Sequence, residues 1–136
     1  IDWSAKKIQD LIEDIKENIN IDTGRIYLTG LSMGGRGTFI VASKLPNTFA
    51  AIMPLSPHHE PYSYLKLAEK VSDIPTFMHH STNDNTSSFS LAKKMYNTLS
   101  KSNKNIIFDK KYWGHSGWHR IYNDKEKIEW LLSWKK

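Results

Sequence analysis

The chain has 136 residues, 39% of them apolar and 24% charged, and it lacks cysteine. That length suits one domain with a core of its own rather than two. The composition excludes a disordered chain, a disulfide framework, a thiolate metal site and a Cys nucleophile, and there is no run of about 18 apolar residues to span a membrane.

Trp3 to Ile19 carries Ile8, Leu11, Ile12, Ile15 and Ile19 at helical spacing, with charged residues between them. This predicts an amphipathic helix, capped by Asp2 or Ser4. Asn20 to Gly24 reads as a turn. Arg25 to Thr29 is short and mostly apolar, and suits a buried strand of a parallel sheet. After Gly30 to Gly35 a second helix runs to about Leu45, where Pro46 stops it. Ala50 to Leu55 is a second buried strand, with Pro54 and Pro57 at its close. Leu65 to Val71 is a short helix or turn, and Pro75 to His80 a third strand. Phe89 to Ser100 is a helix with Leu91, Met95 and Leu99 at helical spacing. Asn105 to Lys111 is a fourth strand. Asp124 to Trp134 is a closing helix with Ile128, Leu131 and Leu132 inward. Short apolar strands alternating with helices predict an α/β fold, a parallel sheet flanked by helices.

The formal charge is +5, from 19 basic and 14 acidic residues. Lys6, Lys7, Lys16, Lys93, Lys94, Lys101 and Lys104 scatter over the outer faces of predicted helices, with no Arg-rich stripe, zinc finger or RNA-binding signature. They read as solvated faces, and no nucleic-acid partner is expected. The lack of cysteine does not fix a compartment, and a start at Ile1 rather than Met is compatible with a removed N-terminal segment.

Gly30-Leu31-Ser32-Met33-Gly34 lies between a predicted strand and a predicted helix. The spelling G-x-S-x-G is weak alone, but in that context it is a nucleophile elbow. The turn is tight enough to strain the serine backbone, and side chains at the flanking glycines would clash. The hydroxyl then stands at a helix N-terminus, where negative charge is favoured, and the Met33 N–H is placed to donate to an oxyanion. A phosphate-binding loop would need G-x-x-x-x-G-K-[ST], which is absent.

A serine nucleophile needs a base, and the base needs an orienting group. In folds built on this elbow the chain order is Ser, Asp or Glu, then His, the last two on loops after later strands. Asp84 follows the third strand, whereas Asp73 precedes it and Asp109 lies inside the fourth. The competing reading of Asp84 is a turn residue that binds its own backbone. His115 and His119 follow the fourth strand. His115 is nearer the strand end and follows Gly114, so it is the expected base, with His119 at the surface or the pocket rim. The histidine pairs His58-His59 and His79-His80, and the four-residue spacing of His115 and His119, raise zinc as an alternative. Gly114 and Gly117 argue against the helix that site needs, and the glutamate of H-E-x-x-H is missing, so no metal and no cofactor are expected.

These segments resemble the esterase and polyhydroxybutyrate-depolymerase-like branch of the α/β hydrolases, a group often described as predicted peptidases or phospholipase/carboxylesterases. The run from Ile21 to Gly35 looks like that group's elbow, and Phe49 to Leu55 like its next strand. His80-Ser81-Thr82-Asn83-Asp84 looks like its H-G-x-x-D acid loop, with Ser81 for glycine. Gly114 to Trp118 looks like its G-H-x-x-W base loop, and Glu129 to Leu132 like its closing E-W-L-L helix. The resemblance implies a serine esterase with Ser32 as nucleophile, Asp84 as acid and His115 as base, acting on a small-molecule ester through an acyl-enzyme. Trp113 and Trp118, with His58, His59 and Tyr62, are candidates to line the pocket, or else pack the loops. A serine peptidase of the prolyl-oligopeptidase type would use the same triad.

The resemblance also implies strands ahead of the first helix and an upstream loop with a second oxyanion N–H, neither of which this sequence holds. About four strands are visible where the family has about eight. The chain therefore reads as the C-terminal half of the fold. The missing donor can cost on the order of 100- to 1,000-fold in rate, so a non-catalytic hydrolase fragment is the competing reading. The exposed sheet edge predicts a homodimer.

Overall fold

A computed structural model describes residues 3–136. Four parallel strands form one sheet in the order β1-β2-β3-β4: Tyr27–Leu31, Ala51–Leu55, Thr76–Ser81 and Ile106–Lys111. Five helices accompany them: α1 Ala5–Asn18, α2 Met33–Lys44, α3 Phe89–Leu99, α4 His119–Tyr122 and α5 Lys125–Leu132. The α/β fold with a parallel sheet flanked by helices is as the sequence predicts.

Alternation along the central strands divides the core between the two sheet faces. Ile52 and Met78 join Phe39, Val41, Tyr64, Met95 and Leu99 on one face, with α1 supplying Ile8 and Ile12. Ala51, Met53, Leu55 and Phe77 join Ile121 and Leu131 on the other, with four tryptophans packed around them. Each large side chain buried this way contributes about 1.5–3 kcal/mol. Pro54 sits inside β2 although it has no N–H to give. Ile52 N–H and Ser56 N–H donate to the Pro75 and His79 carbonyls on either side of it, and the β2–β3 pairing is interrupted between them.

The structure changes several expectations. β1 spans Tyr27–Leu31 rather than 25–29 and is only half-buried, because it is an edge strand with β2 on one side alone. Helix α1 is shorter than predicted, and its apolar stripe is wider than the surface that covers it: Leu11 and Ile19 are 53% and 59% exposed. Ser4 caps α1 by accepting from Lys7 N–H at 3.2 Å, while Asp2 lies outside the described residues. The short helix or turn expected over 65–71 takes the form of two single 3₁₀ turns, Leu65–Leu67 and Glu69–Val71. The sequence reading missed α4, which drives Ile121 fully into the core. Among the described residues, no helix is long and apolar enough to cross a membrane.

Candidate active site

Ser32, Asp84 and His115 follow β1, β3 and β4, so the parallel strands bring all three to one end of the sheet. Ser32 has φ 54° and ψ −115°, a conformation rarely adopted by a side-chain-bearing residue. Three backbone hydrogen bonds hold it there. Its N–H donates to Leu55 O at 2.9 Å, and its carbonyl accepts from Arg36 N–H at 3.1 Å and His58 N–H at 3.0 Å.

The glycines around Ser32 have unequal roles. A Cβ on Gly30 would lie 2.2 Å from the Gly34 carbonyl oxygen, and one on Gly35 would lie 2.6 Å from Leu55 O. A Cβ on Gly34 would meet nothing within 4 Å. The expectation that crowding requires glycine on both sides of the serine therefore holds for Gly30 and fails for Gly34. The second steric requirement falls one residue later, on Gly35, where α2 crosses the end of β2.

Ser32 Oγ is 2.9 Å from His115 Nε2, and His115 Nδ1 is 2.8 Å from Asp84 Oδ2. The Asp84 side chain is fully shielded and the His115 side chain is 20% exposed. The other carboxylate oxygen, Oδ1, accepts Thr86 N–H and Ser87 N–H, each at 2.8 Å. The two carboxylate oxygens are thus used differently: Oδ1 closes a turn and Oδ2 meets the His115 ring. Burial pushes the Asp84 carboxyl up, but the Ser87 N–H, the His115 ring and the Thr86 N–H outweigh it and hold it below the usual carboxylate range.

Side chains the sequence reading passed over tie the acid loop to the base loop. Ser81 Oγ accepts Trp113 N–H at 3.1 Å, and Asn83 Oδ1 accepts Gly114 N–H at 2.9 Å. Ser81 stands where the resembling motif has glycine, and its hydroxyl is what the substitution adds. Gly114 and Gly117 take φ of 70° and 105° in the base loop.

Trp118 meets the His115 ring edge-on at 5.2 Å and donates from Nε1 to Ser56 Oγ at 3.1 Å. Trp113 lies 5.3 Å from His79, with the Lys111 and Arg120 cations over its ring at 5.6 and 5.0 Å. His58 Nδ1 is 2.9 Å from Ser87 Oγ, and His59 Nδ1 accepts Ser88 N–H at 3.3 Å. Burial pushes the His58 pKa down, and the neighbouring His59 charge acts in the same direction. Tyr62 is 72% exposed, and His119 is exposed on α4. Met33, 59% exposed, opens α2 directly after the serine. Among the described residues, no three His, Asp or Glu side chains are grouped to hold a metal ion.

The family model described as phospholipase/carboxylesterase matches residues 1–128. The chain belongs to this family. Among curated relatives of this chain, the bifunctional acetylxylan esterase/xylanase XynS20E of Neocallimastix patriciarum is 35% identical over 77 residues, 57% of this chain and 11% of the relative. The poly(3-hydroxyalkanoate) depolymerase C of Paucimonas lemoignei is 36% identical over 52 residues, 38% of this chain and 13% of the relative. Among solved structures, a thermostable esterase superposes with a TM-score of 0.86 at 27% identity, covering 96% of this chain and 36% of its own. The chain therefore spans well under half the length of each of these three proteins.

Proposed function

We propose that this chain carries a carboxylic ester hydrolase centre that works through an acyl-enzyme on Ser32. The observation that supports it is the unbroken run Ser32 Oγ–His115–Asp84, with contacts of 2.9 and 2.8 Å. His115 Nδ1–H donates to the carboxylate, which leaves Nε2 bare to take the serine proton. Ser32 Oγ attacks the ester carbonyl, and His115 passes the proton to the departing alcohol. Water, deprotonated by the same ring, then cleaves the acyl-serine. Asp84 holds the ring in the required tautomer and stabilises the imidazolium. The oxyanion forms at the N-terminus of α2, where the Met33 N–H and the helix dipole favour negative charge. One curated relative is named in part as an acetylxylan esterase, which favours an oxygen ester as substrate.

Incubation with a fluorophosphonate is expected to leave one adduct, mapped by mass spectrometry to Ser32, and to abolish hydrolysis of p-nitrophenyl acetate. A folded chain that takes no adduct on Ser32 would sink the proposal.

A second copy is proposed to cover the open edge of β1, whose Leu31 is 38% exposed. Light scattering at micromolar concentration is expected to return the mass of a dimer, and a monomer mass rules this out.

A further inference from the structure

His80 stands in β3, four residues before Asp84, and the hydrolysis steps give it no part. It is fully buried. Its Nε2 lies 3.0 Å from the Ser87 carbonyl oxygen and 3.2 Å from Asp84 Oδ2. A carbonyl can only accept, so Nε2 carries a proton. Its Nδ1 is buried without a hydrogen-bond partner. A bare nitrogen there strands a weak acceptor, whereas a second N–H would strand a donor in the core. Burial pushes the His80 pKa down, against the Ser87 carbonyl and the Asp84 charge, which push it up; His79 and His115 add to the downward side. Asp84 approaches the ring directly at Nε2, and the charges of His79 and His115 also act on it. Phe89 packs near it with ring centres 6.0 Å apart.

Ser87 connects this ring to the carboxylate. It is 1% exposed and held at three atoms. Its N–H donates to Asp84 Oδ1, its carbonyl accepts from His80, and its Oγ meets His58 Nδ1. His80 thereby acts on both carboxylate oxygens, on Oδ1 through Ser87 and on Oδ2 by direct approach. A ring that merely filled space would need neither contact.

We propose that His80 is a positioning residue for the acid loop: its Nε2–H holds the Ser87 carbonyl and faces Asp84 Oδ2, which fixes the carboxylate on His115. This rests on the reading of Ser32, His115 and Asp84 as a triad. Its test is histidine NMR on the full chain. In the unmodified protein, His80 is expected to carry a proton on Nε2 bonded to the Ser87 carbonyl. The low-field Nδ1–H proton of His115, bonded to Asp84, is expected to be sharp. His80→Phe keeps a ring of similar size without the donor, and is expected to broaden or lose that signal. The same variant is expected to lower kcat about tenfold with KM unchanged, the pattern of a lost positioning contact. His80→Gln, whose amide nitrogen reaches toward the same carbonyl, is expected to restore both.

A His80 that carries its proton on Nδ1 alone overturns the proposal, as does an unchanged His115 signal in a folded His80→Phe chain. Where His80→Phe does not fold, the wild-type tautomer and the Gln variant decide: loss of the His115 signal in folded His80→Gln would mean that the ring's packing is what matters. The signals do not require turnover. A chain that shows them but takes no phosphonate on Ser32 would sink the proposed activity and leave the assignment of His80 standing.

Discussion

Hydrolysis of p-nitrophenyl acetate is expected to fall by about 10⁶-fold in kcat in Ser32→Ala and by about 10⁴-fold in Asp84→Asn. The alanine removes the atom that attacks. The asparagine acts through the tautomer. Asp84 Oδ1 already accepts two backbone N–H groups at 2.8 Å, so the amide oxygen of an asparagine is drawn to that side. Its NH₂ then faces His115 Nδ1, which must shed its proton and become the acceptor. The proton moves to Nε2, where His115 can no longer take one from Ser32. An Asp84→Asn rate close to the parent's would show that His115 does not depend on the carboxylate, and the triad reading would fall. The same variant tests the pH dependence of folding. The Asp84 carboxyl is held below the usual carboxylate range, so protonation favours the unfolded chain. Its contribution is intact above the ordinary carboxylate range and is lost as pH falls through its lower folded value. The urea midpoints of parent and Asp84→Asn are therefore expected to draw together in acid, and a constant gap would contradict this.

What could be read from the chain in advance depended on whether the property was local. Strand ends and chain order place Ser32, Asp84 and His115, because in a parallel sheet the loops that follow successive strands emerge at the same end. The half-buried state of β1 was not readable from its own residues. An apolar pentad looks the same whether a neighbouring strand covers it or not, and only the order β1-β2-β3-β4 shows that none does among the described residues. Helix α4 has four residues, too few for a 3.6-residue period to register. The partners of His80 were hidden for another reason. His80 opens the run that resembles H-G-x-x-D, but that spelling does not say what the ring bonds, and its contacts with Ser87 and Asp84 exist only once the chain after β3 has folded. The tryptophans divide in the same way. Aromatic richness near the base loop was visible, but the His115 edge contact of Trp118 and the cation-flanked packing of Trp113 are tertiary facts.

The two glycines of Gly30-x-Ser32-x-Gly34 are expected to respond to alanine in opposite ways. At Gly30 the added carbon would lie 2.2 Å from the Gly34 carbonyl oxygen and 2.5 Å from its carbon. Both are backbone atoms, with no flexible side-chain end to swing aside. Gly30 is also held in register opposite Pro54, so the strand cannot withdraw without losing its pairing to β2. The first turn of α2 must move instead. That turn carries the strained Ser32 and the Gly34 carbonyl, which also accepts the Thr38 hydroxyl at 2.8 Å. The loss is expected to exceed about 3 kcal/mol, in the range of severe backbone conflicts. At Gly34 the new carbon meets nothing within 4 Å, and the residue lies in α2. There the gain in helix propensity is about 0.5–1 kcal/mol, so Gly34→Ala is expected to leave the chain as stable as before or slightly more so. Urea denaturation followed by tryptophan fluorescence separates the two. Equal destabilisation would mean that the elbow needs glycine at both positions for a reason other than space. A tolerated Gly30→Ala would mean that the close approach of β1 to α2 is softer than these distances allow.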